Sequence, residues 1–165
     1  MDIAVIYHSE TGHTREVAEY IARQTGADLI PVSSRFPYTG ISRVSVGVRR
    51  ALSGTEEQTE PAVIDVSAYD CLVVGSPVWA GHPTPAINGA VARFQGCSGK
   101  EAVAFVTCGL SSHGAERMLA SRLTGRELRV KGSVAISRIE LKNFTRLNRL
   151  VGMVLSSSSG NIRVD

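Results

Sequence analysis

Aromatic residues are scarce in this chain, 5% of its 165 residues, with a single tryptophan among them. Nucleic-acid recognition needs a clustered basic patch with aromatic or groove-reading elements, and a formal charge of +3 marks no such patch. Cysteine is equally sparse: Cys71, Cys97 and Cys108, an odd number without CxxC spacing. That argues against both a disulfide framework and a zinc site. Cys71 reads as a small buried hydrophobe, and Cys108, closing a strand at a loop, reads either as inert or as a residue that approaches a ligand. No apolar run approaches the roughly 20 residues that a bilayer-spanning helix needs. The first strand pattern begins within two residues of Met1, which leaves no room for a signal peptide, so a cytoplasmic location is the default expectation.

What is present is an ordinary globular composition, 43% hydrophobic and 20% charged, enough for one domain with a sizeable core. Apolar, β-branched runs recur at Ile3–Tyr7, Leu29–Val32, Cys71–Val74, Ala102–Val106 and Val130–Ile136, and such runs suit strands covered on both faces. Helical stripes lie between them. Val17, Ala18, Ile21 and Ala22 form the first, and Ile87, Ala90, Val91 and Phe94 a later one. Ala115, Met118, Leu119 and Leu123 mark another, and Phe144, Leu147, Val151, Val154 and Leu155 the last. Strand–helix alternation of this kind predicts an α/β three-layer sandwich around a parallel sheet.

The segment 33–60 is longer than a usual connection and carries Arg35, Arg43, Arg49 and Arg50. Ile41, Val44, Val48 and Leu52 there outline the apolar side of a basic, solvated helix. The ordered domain is expected over residues 1–155, with the serine run Ser156–Gly160 opening a flexible tail over 156–165.

In open parallel sheets, ligands bind beyond the carboxyl ends of the strands, near the point where strand order reverses. Three strand-end segments therefore matter together. The first is Ser9-Glu10-Thr11-Gly12-His13-Thr14, a hydroxyl-rich loop between the first strand and the first helix. Helix starts leave N–H groups unpaired at the positive end of the dipole, so hydroxyls at Ser9, Thr11 and Thr14 with a permissive Gly12 read as a phosphate cradle. Glu10 and the lack of any lysine in the loop favour a phosphomonoester held by neutral donors over a nucleoside triphosphate on magnesium. The second segment, Gly75–Pro83, holds Trp79 in what reads as a rigid loop, a planar wall for a planar ligand. The third, Thr107–Gly114, is glycine- and serine-rich. His13, His82 and His113 fall one in each segment, and their convergence would make a shared pocket electropositive.

Ser-x-Thr-Gly-x-Thr after strand one, Gly-Ser-Pro-Val-Trp-Ala-Gly after strand three and a Gly-rich loop after strand four resemble the flavodoxin family, from Asp2 to about Leu155. The absence of a long insertion in the fifth strand is similar to the short-chain members. The resemblance implies a flavodoxin-like sheet of five parallel strands in the order 2-1-3-4-5 and non-covalently bound FMN. Ser9, Glu10 (through its N–H), Thr11, Gly12, His13 and Thr14 would hold its phosphate. Pro77, Val78, Trp79, Ala80, Gly81 and His82 would lie along one side of the isoalloxazine, and Cys108, Gly109 and the residues up to His113 along the other. In related flavodoxins a peptide in the second loop reorients to meet N5 on reduction, and here Gly81 or the Trp79–Ala80 peptide occupies that place. Implied partners are a redox protein or a small acceptor such as a quinone, with NAD(P)H as donor, and a homodimer as in quinone-reducing relatives.

Two features depart from that pattern. Electron-carrier flavodoxins are typically acidic, whereas the pI here is about 9.0, and the third loop lacks the aromatic that often covers the flavin, leaving Leu110 or His113 to serve. A positive pocket favours the two-electron-reduced anion, hence hydride chemistry. A different reading is a hydrolase with Ser111 as nucleophile on a displaced Gly-x-Ser-x-Gly elbow, but no acid–histidine pair follows it. A third is a binding module with a degenerate flavin site, against which the intact first and second loops speak. Gly96–Lys100 has the look of a P-loop but precedes a strand, and Glu101 follows the lysine.

Overall fold

The computed structural model describes residues 1–35 and 48–156. Five long strands form its centre: β1 (Ile3–His8), β2 (Asp28–Ser34), β5 (Cys71–Trp79), β8 (Glu101–Cys108) and β9 (Arg129–Ser137). They pair in parallel in the order β2-β1-β5-β8-β9, which is 2-1-3-4-5 counted over the long strands. Short strands decorate this sheet. β3 (Thr59–Glu60) pairs antiparallel on β2, and β6 (His82–Pro83) folds back on β5. β4 (Ile64–Asp65) and β7 (Phe94–Gln95) make a separate parallel pair.

The helices are α1 (His13–Thr25), α2 (Val48–Leu52), α3 (Pro85–Ala92), α4 (Ala115–Thr124) and α5 (Phe144–Leu155). Strand residues alternate in facing, so each face of the sheet collects its own core. Val17 and Ile21 of α1 and Leu147, Leu150 and Val154 of α5 pack on Val5, Val73 and Phe105. Ile87 and Val91 of α3 and Leu119 and Leu123 of α4 pack on Ile6, Leu72 and Val74. The result is the flavodoxin-like doubly wound sandwich.

Burial on both faces holds for the inner strands only. β1 is buried throughout and β8 nearly so, whereas β2 and β9 are largely half-exposed, with Leu29 of β2 at the surface. These two are the outer members of the parallel set: beyond β2 only the two-residue β3 adds cover, and among the described residues no strand pairs on the outer edge of β9. The stripe assigned to the third helix also ends early. α3 stops at Ala92, and Phe94 is instead a buried residue of β7, opposite Ile64. Of the apolar side expected around 41–52, Ile41 and Val44, like Arg43, lie outside the described residues, and Leu52 at the end of the short α2 is exposed. Of the expected tail, Ser156 alone is described, and its carbonyl oxygen accepts from Lys131 Nζ. No described helix is long and apolar enough to cross a membrane.

Candidate functional site

The carboxyl ends of β1, β5 and β8 converge on one cleft of about 180 Å³. Its walls are Glu10 and Thr11 from the loop after β1, His13 at the start of α1, Pro77, Val78 and Trp79 from β5, Thr107 and Cys108 at the end of β8 with Gly109 after it, and Arg138 and Leu141 beyond β9.

The first wall is a turn that only glycine closes without strain. Gly12 stands at φ 93°, the left-handed region, at the N-cap of α1, where it has no side chain of its own to cap the helix. Nothing lies within 4 Å of where its Cβ would be, so the turn is open above the helix start. The N–H groups of His13 and Thr14, in the first turn, have no partner within the helix. Ser9 Oγ accepts from the Arg15 N–H at 3.2 Å, which leaves its own proton to donate. Ser9 itself opens to the hollow on the other side of the loop, beside Arg15, Ser33 and Ser34. Thr14 points inward: its Oγ1 is 2.8 Å from Thr107 Oγ1 in a buried pair, so its hydroxyl faces away from the cradle and its N–H is the group that remains there. That pair ties the start of α1 to the end of β8.

The second wall is a hairpin, which corrects the expectation of a loop over Gly75–Pro83. β5 continues through Trp79, and Trp79 pairs with His82 and Val78 with Pro83. Between them Ala80 (φ 48°) and Gly81 (φ 81°) both take positive φ, the signature of a two-residue type I′ turn. Asn-Gly is the usual sequence for that turn, and the prolines at 77 and 83 read as strand breakers, so the hairpin was masked. Its base is fixed by Ser76, whose Oγ accepts from the Thr84 N–H at 3.0 Å, while Thr84 caps α3 by accepting from the Ile87 N–H. Gly75 lets β5 pass over a ring: a Cβ there would sit 2.1 Å from Phe105 Cζ.

A residue that no motif flagged, His8, braces the two walls. It is buried, its Nδ1 donates to the Val32 carbonyl oxygen at 2.8 Å, and its Nε2 is 3.2 Å from Glu10 Oε1. The edge contact with Trp79 places the ring centroids 6.5 Å apart at 78°. Of the histidines expected to converge, His13 lines the cleft, whereas His82 and His113 are not among its lining residues. The His113 Cβ lies 3.1 Å from the place of a Gly81 Cβ, so the third loop packs on the turn.

In the third segment Leu110 is 89% exposed. Cys108 is half-buried with its thiol pushed up by burial, and its Sγ–H lies toward the Ile136 carbonyl oxygen at 3.8 Å. Cys71 is buried and its thiol is pushed up to about 11, again by burial. Ser111 Oγ accepts from the His113 backbone N–H rather than meeting an imidazole, and α4 starts only at Ala115, so no nucleophile elbow forms. Arg138 and Leu141 were missed because no motif marks them; the rule that ligands sit at strand ends, applied to β9 as well, would have found them.

The family model for flavodoxin matches residues 2–129. This chain belongs to the flavodoxin family. The structures it resembles agree with that. A Bacteroides eggerthii protein ascribed to the flavoproteins is 25% identical, with a TM-score of 0.72 over 94% of this chain and 99% of that one. A Lactobacillus acidophilus flavoprotein, solved in complex with FMN, is 22% identical with a TM-score of 0.62 over 86% and 96%. The Trp repressor binding protein of Bacillus subtilis is 15% identical with a TM-score of 0.63 over 92% and 99%. Among curated proteins no significant match is found. In this flavodoxin, β9 and α5 continue the fold beyond the matched segment.

Proposed function

We infer that this flavodoxin binds FMN non-covalently in the cleft and moves electrons, in the form of NAD(P)H-dependent reduction of quinone-like acceptors. The observation that carries the reading is the cleft itself, where a neutral-donor turn at a helix start and an indole wall face each other beyond the strand ends. The donor set suits a phosphomonoester: the hydroxyl of Thr11 and the first N–H groups of α1, with room over Gly12 for close approach. Pro77, Val78 and Trp79 on one side and Cys108 and Gly109 on the other present flat, mostly apolar surface to a planar ring. When bound, FMN supplies the redox chemistry, accepting and releasing electrons singly or as a hydride.

The residues set the terms for it. Ala80 and Gly81 hold a turn whose peptides can meet the ring edge, and His8 fixes Trp79 and Glu10 relative to each other. Arg138 places positive charge in the cleft, which favours an anionic reduced ring and thus two-electron chemistry. Leu110 leaves the third wall low, open to a second reactant. A protein partner would make the same site a one-electron carrier; a cytoplasmic location and a homodimer accord with either.

The test is steady-state oxidation of NADH or NADPH by the FMN-loaded protein with a quinone. Turnover supports the reductase. A large, stable one-electron-reduced population in anaerobic titration, with no turnover, favours the carrier.

A further inference from the structure

Beside the cleft lies a second hollow of about 480 Å³, lined by His13, Glu16, Arg138, Ile139, Leu141 and Lys142. It shares His13, Arg138 and Leu141 with the cleft, so these three side chains form the wall between the two spaces. The hollow joins an exposed apolar side chain with two cations. Ile139 is 73% exposed there, an apolar side chain held in water. Around it stand the cations of Arg138 and Lys142, with Glu16 the one carboxylate in the lining.

Glu140, two residues along the chain from Arg138, is committed elsewhere. Glu140 Oε2 accepts from the Ser137 N–H at 2.9 Å and from the Ser137 hydroxyl at 2.7 Å, and its Oε1 pairs with Arg146 Nε at 2.7 Å. Arg146 also donates to the Ala135 carbonyl oxygen. The Arg138 backbone is pinned by its N–H to the Cys108 carbonyl oxygen at 3.1 Å, next to the cleft wall. Its guanidinium makes no hydrogen bond or ion pair among the described residues. A fixed backbone with an uncommitted guanidinium suits a ligand's anion.

We propose that this hollow is the second-substrate compartment of the site, and that it takes a planar aromatic acceptor bearing a sulfonate or carboxylate. The aromatic body lies on Ile139 and Leu141, the anion on Arg138 with Lys142, and the wall shared with the cleft brings the body alongside the cofactor. This deepens the FMN reading and rests on it for the identity of the neighbour. An acidic protein surface would use the same charges, but a concave hollow with an apolar floor fits a small molecule better.

The probe is naphthalene-2-sulfonate, which is redox-inert, titrated calorimetrically into the protein with and without FMN, beside uncharged 2-naphthol. The sulfonate is expected to bind in both forms, with an affinity that falls as salt rises. Arg138→Gln should weaken it about tenfold, with 2-naphthol affected far less, and Arg138→Lys should recover most of the loss. Sulfonate binding only without FMN would mean it occupies the cleft, and overturns the proposal. So does equal weakening of both probes, or no binding at millimolar concentration. If Arg138→Gln lowers FMN affinity tenfold and leaves the sulfonate unchanged, Arg138 belongs to the cofactor's phosphate and the proposal falls while the FMN reading stands. A protein that takes up no FMN but binds the sulfonate through Arg138 gives the opposite split.

Discussion

At Thr14 and Thr107 two hydroxyls share one buried hydrogen bond of 2.8 Å, and that bond holds the cradle to the end of β8. Thr14→Val would leave Thr107 Oγ1 without a partner at an almost fully buried site, which costs about 1–2 kcal/mol. Urea denaturation should show that loss, and Thr14→Ser should restore most of it; an unchanged midpoint for the valine variant would mean the bond contributes nothing. Gly75 is a steric case instead of a polar one. A methyl there would overlap the Phe105 ring, so Gly75→Ala should destabilise by about 1–3 kcal/mol through displacement of a core ring. Thermal melts that coincide with the parent's would contradict that. Glu140 gives a pH dependence. The Ser137 N–H and hydroxyl, with Arg146 contributing less, hold its carboxyl below the ordinary value of 4.5. A folded value below the unfolded one means its contribution is present above about pH 4.5 and fades as pH falls through the lowered folded value. Glu140→Gln should therefore be less stable at neutral pH and converge with the parent in acid. A difference that grows on acidification would reverse the sign.

Among the elements, the hairpin bears most directly on the site and was the hardest to read. Ala80 occupies a left-handed position that an L-residue with a Cβ adopts at a cost. Ala80→Asn, which tolerates that region, should raise stability by about 0.5–1 kcal/mol in denaturant titrations, and a loss would show that Ala80 packs for another reason. The sequence pattern located β1, β5 and β8 because each is covered by helices on both faces, which selects uninterrupted apolar runs. It overestimated the cover of β2 and β9, where the edge position relaxes that selection. It could not see the hairpin, because Ala-Gly hides a turn that Asn-Gly would announce. The cradle was legible as a motif, but not the inward turn of Thr14, since the direction of a threonine at a helix start depends on what lies across from it. His8 left no trace because its partners at Val32, Glu10 and Trp79 are gathered only by the fold.

Over the whole molecule, charge and topology act on the same place. The doubly wound sheet brings three strand ends to one cleft, and a chain of net charge +3 sets Arg138, Lys142 and His13 at its edge. At the opposite end Lys131 pairs with Glu101 at 2.8 Å and donates to the carbonyl oxygens of Val154 and Ser156, which fastens α5 to β9. Trp79 is the only tryptophan, so its fluorescence reports the cleft alone. The most direct measurement is titration of the flavin-free protein with FMN at micromolar concentration, following Trp79 emission and the flavin absorbance. FMN binding in the cleft requires one-to-one saturable quenching with retained yellow colour, weakened about tenfold by Thr11→Leu through loss of one phosphate donor. Trp79 emission that stays constant over a colourless protein would contradict it.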